Sequence, residues 1–306
     1  MRCLSRLSAD ITMRHLFAII ILFILVLLCG ALLSFPVYKL LQPFTDVRFH
    51  KLISHVSSIC GLLLLCAWLK HGNRFDSATL GYIKLPPAAV ISQILTGFFT
   101  GIAIIAILAS VLVLLGIHQI EPDLEFNPAA GGRIFVHALI VGAMVGLFEE
   151  TLYRGALLGG LLSRMKTPGA ILISSIIYSG VHFLKFREAP ANLPITWTTG
   201  LEMLPEAFYR FSDPAIIDAF LSLLAFGVLL AMARLKSGAV YLCMGLHAGV
   251  VTTVKIVNKT TDYVPNNDLA FMVNQYDHLL GYLALLWLTM CIMIYYRSAF
   301  AGAGSH

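Results

Sequence analysis

Two adjacent carboxylates, Glu149 and Glu150, lie in a run that is otherwise apolar from Ala138 to Leu147 and again from Ala156 to Leu162. Placing one charge in a bilayer costs at least ~2.5–3.5 kcal/mol, and neighbouring carboxylates resist ionising together. Ionisable residues held in such a setting are expected to serve a function. Arg154 follows Glu150 by four residues, one helical turn, so these two can form an ion pair that ties helices together. That structural role leaves Glu149 without a purpose. Two later apolar runs each carry a deep histidine, His182 and His247. Such a set admits two chemistries. Glu149, His182 and His247 could bind zinc and activate a bound water. Alternatively, with no metal, a glutamate and a histidine activate water as general base while the other histidine stabilises the oxyanion.

The elements that must position these groups are membrane helices. The chain has 306 residues, 58% hydrophobic and 12% charged, whereas a soluble domain carries roughly 25% charged residues. The expected fold is an all-α integral membrane protein, a single transmembrane domain over 1–306 with its core motifs within 133–257. Eight apolar segments can be drawn, at about 16–35, 52–69, 88–117, 133–163, 169–185, 215–233, 239–257 and 279–296. Phe35-Pro36 marks an end, and Pro168-Gly169 and Asp213-Pro214 mark starts. The first run is too long for a signal-peptide core and reads as an uncleaved spanning helix. At 1.5 Å rise per residue, Glu149 lies ~22 Å from Arg164, His182 ~20 Å from Gly169 and His247 ~14 Å from Gly238. With tilt, the fourth, fifth and seventh helices would bring all three to one level.

Other features are plainer. The formal net charge of +5 comes without the dense or aromatic-studded basic patch that nucleic acid requires. Six cysteines show no CxxC or Cys/His metal spacing and read as small packing residues. The basic turns Arg164-Met165-Lys166 and Arg234-Leu235-Lys236, with Arg2, Arg6 and Arg14, place both termini in the cytoplasm. The 186–213 loop, with Trp197, Phe208, Tyr209 and Phe211 among polar residues, reads as an interfacial amphipathic helix. Gly142xxxGly146 and Gly155xxxGly159 flank the glutamates and permit close helix approach.

At the charged positions the sequence resembles the CPBP family (CAAX-prenyl protease and bacteriocin-processing, also called Abi). Its EExxxR motif corresponds to Glu149-Glu150-Thr151-Leu152-Tyr153-Arg154. Its FxxxH motif corresponds to Tyr178-Ser179-Gly180-Val181-His182, with Tyr178 in place of Phe. Its HxxxN motif corresponds to His247-Ala248-Gly249-Val250-Val251. The resemblance implies an eight-helix transmembrane bundle and an intramembrane glutamic-type endopeptidase. It implies Glu149 and His182 as the water-activating pair and His247 as an oxyanion stabiliser, with Glu150, Arg154 and Tyr178 supporting. No cofactor is expected, zinc on Glu149, His182 and His247 being the alternative. The substrate expected is a membrane-associated or lipidated peptide, met among membrane lipids and without nucleic acid. The short loops favour a bacterial inner membrane. The departure is Val251, apolar where the family carries a polar residue, and losing one oxyanion donor typically costs ~10²–10³ in rate. Val251 therefore keeps open a second reading, an inactive relative acting as a membrane immunity or peptide-binding factor. Intramembrane Glu and His also suit a proton pathway, but no repeat symmetry or paired broken helices accompany them.

Overall fold

The computed structural model describes residues 2–71, 76–121, 127–188 and 194–300, with side chains over 20–298. The side chains of Arg2, Arg6 and Arg14, and the 189–193 part of the predicted interfacial loop, lie outside the described residues. Among the described residues, eight long helices correspond to the eight apolar segments: α1 (Arg2–Leu41), α2 (Phe49–His71), α3 (Pro87–Leu114), α4 (Pro128–Leu162), α5 (Thr167–Val181), α6 (Ile217–Ser237), α7 (Tyr241–Thr260) and α8 (Tyr282–Phe300). β1 (His118–Ile120) and β2 (Thr261–Tyr263) form one short antiparallel pair. Among the described residues, five helical stretches, in α1, α2, α3, α4 and the Pro214–Ser237 span, are long and apolar enough to cross a membrane. The protein is thus an all-α, multi-pass membrane protein.

Two boundaries differ instructively from the sequence reading. Pro36 does not end α1, which continues to Leu41. A proline removes one backbone bond, and membrane helices tolerate this because nearby groups re-satisfy the backbone. α4 begins at Pro128, ahead of the predicted 133, because the Asn127 side chain accepts from the Ala129 and Ala130 N–H groups and Pro128 takes the first helical position. In the 186–213 loop, the helical pieces are short: Thr199–Glu202 and a 3₁₀ segment, Pro205–Ser212. Pro205 lacks the N–H that a continuous helix would need.

The chain divides into two compact units. One comprises Met1–Phe75, Gly160–Thr167 and Gly180–Pro214; the other comprises Asp76–Gly159, Pro168–Ser179 and Ala215–His306. In the first, Gly30 of α1 fits against Ser57 of α2, and Gly200 fits against the Ala31 backbone. In the second, α7 is the central element, held between α3 and α4. Gly97 and Gly101 of α3 lie against the α7 backbone at Leu242–Val250, while Gly245 and Gly249 of α7 lie against Ile94 and Phe98 of α3. On its other side α7 meets Gly142 and Gly146 of α4, through Met244, Ala248 and Thr252. Without water to drive association, membrane helices gain from such close van der Waals approach.

On α4 the buried positions Ala138, Gly142, Gly146 and Glu150 recur every four residues. Phe135, Val136, Leu139, Ile140, Met144 and Leu147 are exposed, as a lipid-facing surface would be. The small-residue row therefore delivers Glu150 to the α7 side of its helix. Among the described cysteines, Cys29, Cys60, Cys66, Cys243 and Cys291 form no disulfide, and Cys60 and Cys243 are buried.

A Cβ on Gly245 would collide with the Ile94 carbonyl, whereas Gly131 has open space around it. Gly245→Val is expected to cost about 1–3 kcal/mol through overpacking. Gly131→Ala should be neutral or stabilising by up to about 1 kcal/mol. Thermal unfolding of both variants in detergent checks the contrast.

Candidate active site

The α4 helix changes character at the glutamates. Its α-helical part ends at Glu150, and Thr151–Leu157 winds as a π-helical turn before the α-helix resumes at Leu158. Such single π-turns occur frequently at functional sites. The Thr151 N–H reaches both the Leu147 and Phe148 carbonyls, and its hydroxyl also donates to the Leu147 carbonyl at 2.6 Å.

Glu150 is fully buried, and Arg154 and His247 are nearly so. Arg154 Nη1 donates to Glu150 Oε1 at 3.1 Å, and His247 Nδ1 lies 2.8 Å from the same oxygen. An ionised carboxylate only accepts, so Nδ1 carries the hydrogen in that bond. Arg154 Nη2 donates to the Gly227 carbonyl of α6 at 3.3 Å, and the guanidinium stacks over the Tyr178 ring at 4.2 Å. Gly227 sits where a side chain would meet Ser175 of α5, so this close helix crossing leaves its carbonyl open to the arginine. The His247 ring meets Phe226 edge-on at 5.5 Å and Tyr178 at 6.1 Å between centroids. Its rotation is thus set by one hydrogen bond and two aromatic walls.

With Nδ1 committed to Glu150, the other ring nitrogen faces the second glutamate: His247 Nε2 lies 4.0 Å from Glu149 Oε2. That is too long for a direct hydrogen bond and short enough for one water oxygen to bond both groups. Glu149 is 27% exposed in its side chain, while its Oε2 and Glu150 Oε2 are buried acceptors with no hydrogen-bond partner among the described residues. Buried acceptors of this kind call for an explanation, and a site that receives a polar reactant supplies one.

One unit therefore brings together Glu149, Glu150, Arg154, Tyr178 and His247. His182 belongs to the other unit, where it is exposed and directly follows Val181, the last residue of α5. Val251 is partly buried, and the hydroxyls beside it are committed: Thr252 donates to the Ala138 carbonyl at 3.3 Å and Thr253 to the Gly249 carbonyl at 2.8 Å. Within this unit, Glu150 Oε1 is taken by Arg154 and His247, leaving His247 Nε2 and Glu149 as the facing donors, one short of the three protein ligands typical of catalytic zinc. Among the described residues, no group of three or more His, Cys, Asp or Glu side chains is arranged to hold a metal ion. The π-turn, the Gly227 carbonyl and the Phe226 wall escaped the sequence reading. A lone glycine inside the apolar α6 run was the only available signal for any of them.

Residues 131–253 match the family model described as Type II CAAX prenyl endopeptidase Rce1-like. The match covers less than half of the chain and marks a similarity to that family. It is consistent with the CPBP resemblance read from the three motifs, and it contains every candidate site residue, His182 included. No curated protein and no solved structure matches the chain.

Removing Arg154 would leave the Glu150 carboxylate buried with one partner fewer. Arg154→Ala is expected to cost about 3–5 kcal/mol. Arg154→Lys should recover only part of this, because one ammonium does not reproduce the planar fork that reaches Glu150 and Gly227. Unfolding of the two variants in the same detergent measures the difference.

Proposed function

We propose that this protein is an intramembrane endopeptidase that hydrolyses a peptide bond in a membrane-associated or lipidated peptide or protein. The observation that carries this reading is the line Arg154–Glu150–His247, which orients His247 so that Nε2 faces Glu149 across 4.0 Å. The Rce1-like match over 131–253 supports the reaction class.

In the proposed reaction, Glu149 accepts a proton from water, assisted by His182. The water oxygen adds to the scissile carbonyl carbon, and the carbonyl electrons move onto oxygen. His247, protonated at Nε2, donates to that oxyanion, while its Nδ1–H stays on Glu150. The carbonyl then re-forms as the C–N bond breaks, and the proton held by Glu149 goes to the departing amine. Glu150 and Arg154 stay in place throughout. This mechanism calls for no metal. The protein would work in a cell inner membrane with both termini in the cytoplasm.

Cleavage of an S-farnesylated fluorogenic peptide, and of the same peptide without the lipid, in phosphatidylethanolamine–phosphatidylglycerol proteoliposomes tests this reading. The wild type should cleave, and Glu149→Gln, His182→Ala and His247→Ala should each lose at least about 10²-fold in kcat. Undiminished cleavage by Glu149→Gln sinks the mechanism. Activity should survive a zinc chelator; chelator-sensitive cleavage together with stoichiometric zinc would replace this mechanism with a metal-assisted one.

A second reading has a specific observation in its favour. Val251 offers no donor, and the Thr252 and Thr253 hydroxyls are both engaged by backbone carbonyls. A chain lacking that donor suits a peptide-binding or immunity factor that keeps the charged line for its structure. Full biological activity of Glu149→Gln in cells would favour it.

A further inference from the structure

The segment from Asp76 to Ile83 has no part in the reaction above, yet it is built onto the turn that follows Glu150. The Asp76 carboxylate accepts from the Thr79 N–H and hydroxyl, both at 2.8 Å, and the Tyr82 N–H donates to the Ser77 carbonyl at 2.7 Å. The segment is thus folded on itself. Its outward carbonyls are anchored on α6 and α7. Ala78 accepts from Arg234 Nη2 at 3.2 Å, Gly81 from the Val240 N–H at 3.0 Å, and Ile83 from the Tyr241 hydroxyl at 3.2 Å. Gly81 has φ +78°, and a Cβ there would strike the Arg234 guanidinium, so the strap passes close against that side chain.

Its other face lies on α4. The Leu80 and Thr79 carbonyls cover Gly155 and Gly159, where a Cβ at Gly155 would sit 2.9 Å from the Leu80 oxygen. This explains the Gly155xxxGly159 spacing: those glycines receive the strap. Between them and Glu150, the Tyr82 hydroxyl lies 2.5 Å from Thr151 Oγ1. The single Thr151 hydrogen goes to the Leu147 carbonyl, so Tyr82 is the donor.

Thr151 is the first residue of the π-turn. A π-turn has poorer intrinsic bonding than an α-helix and persists where its surroundings hold it. Here it carries the step between the glutamates and Arg154, so its winding decides how the carboxylates meet His247. We propose that Tyr82 is a positioning residue for the Glu149–Glu150 pair, acting through Thr151 to hold the π-turn. In its catalytic consequence this rests on the endopeptidase reading; the hold on the turn stands on the strap alone.

The test uses the full chain in the same proteoliposomes with the S-farnesylated peptide. Tyr82→Phe should lower kcat by about ten- to a hundredfold and leave KM within about twofold. Thr151→Val should do the same, and the double variant should lose no more than either single one. Thr151→Ser, which keeps the hydroxyl, should retain near wild-type kcat. In parallel, amide hydrogen exchange over 147–158 should quicken in Tyr82→Phe. Wild-type kcat in Tyr82→Phe, or a double loss equal to the product of the singles, overturns the catalytic consequence. Unchanged exchange overturns the hold on the turn. If the wild type fails to cleave, or Glu149→Gln cleaves equally well, the endopeptidase reading falls and takes the catalytic consequence with it. The exchange measurement still decides whether Tyr82 holds the turn.

Discussion

A fully buried carboxylate is the constraint around which the second compact unit is arranged. Glu150 has no exposed surface, and a charge in such surroundings must be paired and hydrogen-bonded or it will not remain ionised. Its partners come from two places, Arg154 one turn along the same helix and His247 on α7. The first is local and forms with the helix. The second can form only when α4 and α7 are packed, so the ion pair couples the tertiary fold to the state of a single side chain. Arg154 in turn needs a carbonyl, which Gly227 offers, and an aromatic face, which Tyr178 offers. Helices α4, α5, α6 and α7 thereby share one electrostatic centre.

The glycine rows make this geometry attainable. A hydrogen bond of 2.8 Å between Glu150 and His247 requires two helix backbones to run close, and larger side chains at Gly142 and Gly146 would hold them apart. The same logic applies across α7, where Gly245 and Gly249 interlock with Gly97 and Gly101. α7 therefore has backbone against both flanks, and His247 projects from a helix with little room to shift. Preorganisation of this kind is what makes a donor or base effective, since no reorganisation remains for the moment of reaction.

Much of this was legible in the sequence, for identifiable reasons. The i,i+4 spacing of Glu150 and Arg154 predicts a pair on any helix, and that pair is present. The eight apolar runs predict eight helices because hydrophobic length is a property of the chain itself. Gly142 and Gly146 could be read as packing positions, but not which helix they would receive. That choice depends on residues a hundred positions away. The Thr151–Leu157 π-turn was invisible, because its composition differs in no way from that of an α-helix. It is held by Tyr82, 69 residues earlier. The broken helix of the 186–213 loop was foreseeable in principle, since Pro205 stands in the middle of the amphipathic pattern. Of the three residues expected at one level, Glu149 and His247 approach to 4.0 Å, while His182 lies in the other unit.

The two glutamates, identical in sequence, end with different physical characters. Glu150 Oε1 is saturated by a guanidinium and an imidazole, so its charge is compensated and its position fixed. Glu149 faces the same histidine from the other side, at a distance that leaves space for a reactant, and keeps a buried acceptor oxygen. A carboxylate compensated by a fixed cation is a poor proton acceptor, because accepting a proton would break the pair that holds it. A carboxylate near a histidine but bonded to nothing stronger loses far less. This asymmetry, more than the count of acidic residues, assigns the proton-transfer role to Glu149 in the proposed reaction. It also defines what Val251 changes. Glu149 and the line Arg154–Glu150–His247 are in place on α4 and α7. What the third motif lacks is a donor for the developing oxyanion, which bears on the rate of the proposed hydrolysis and leaves the architecture that positions the pair untouched.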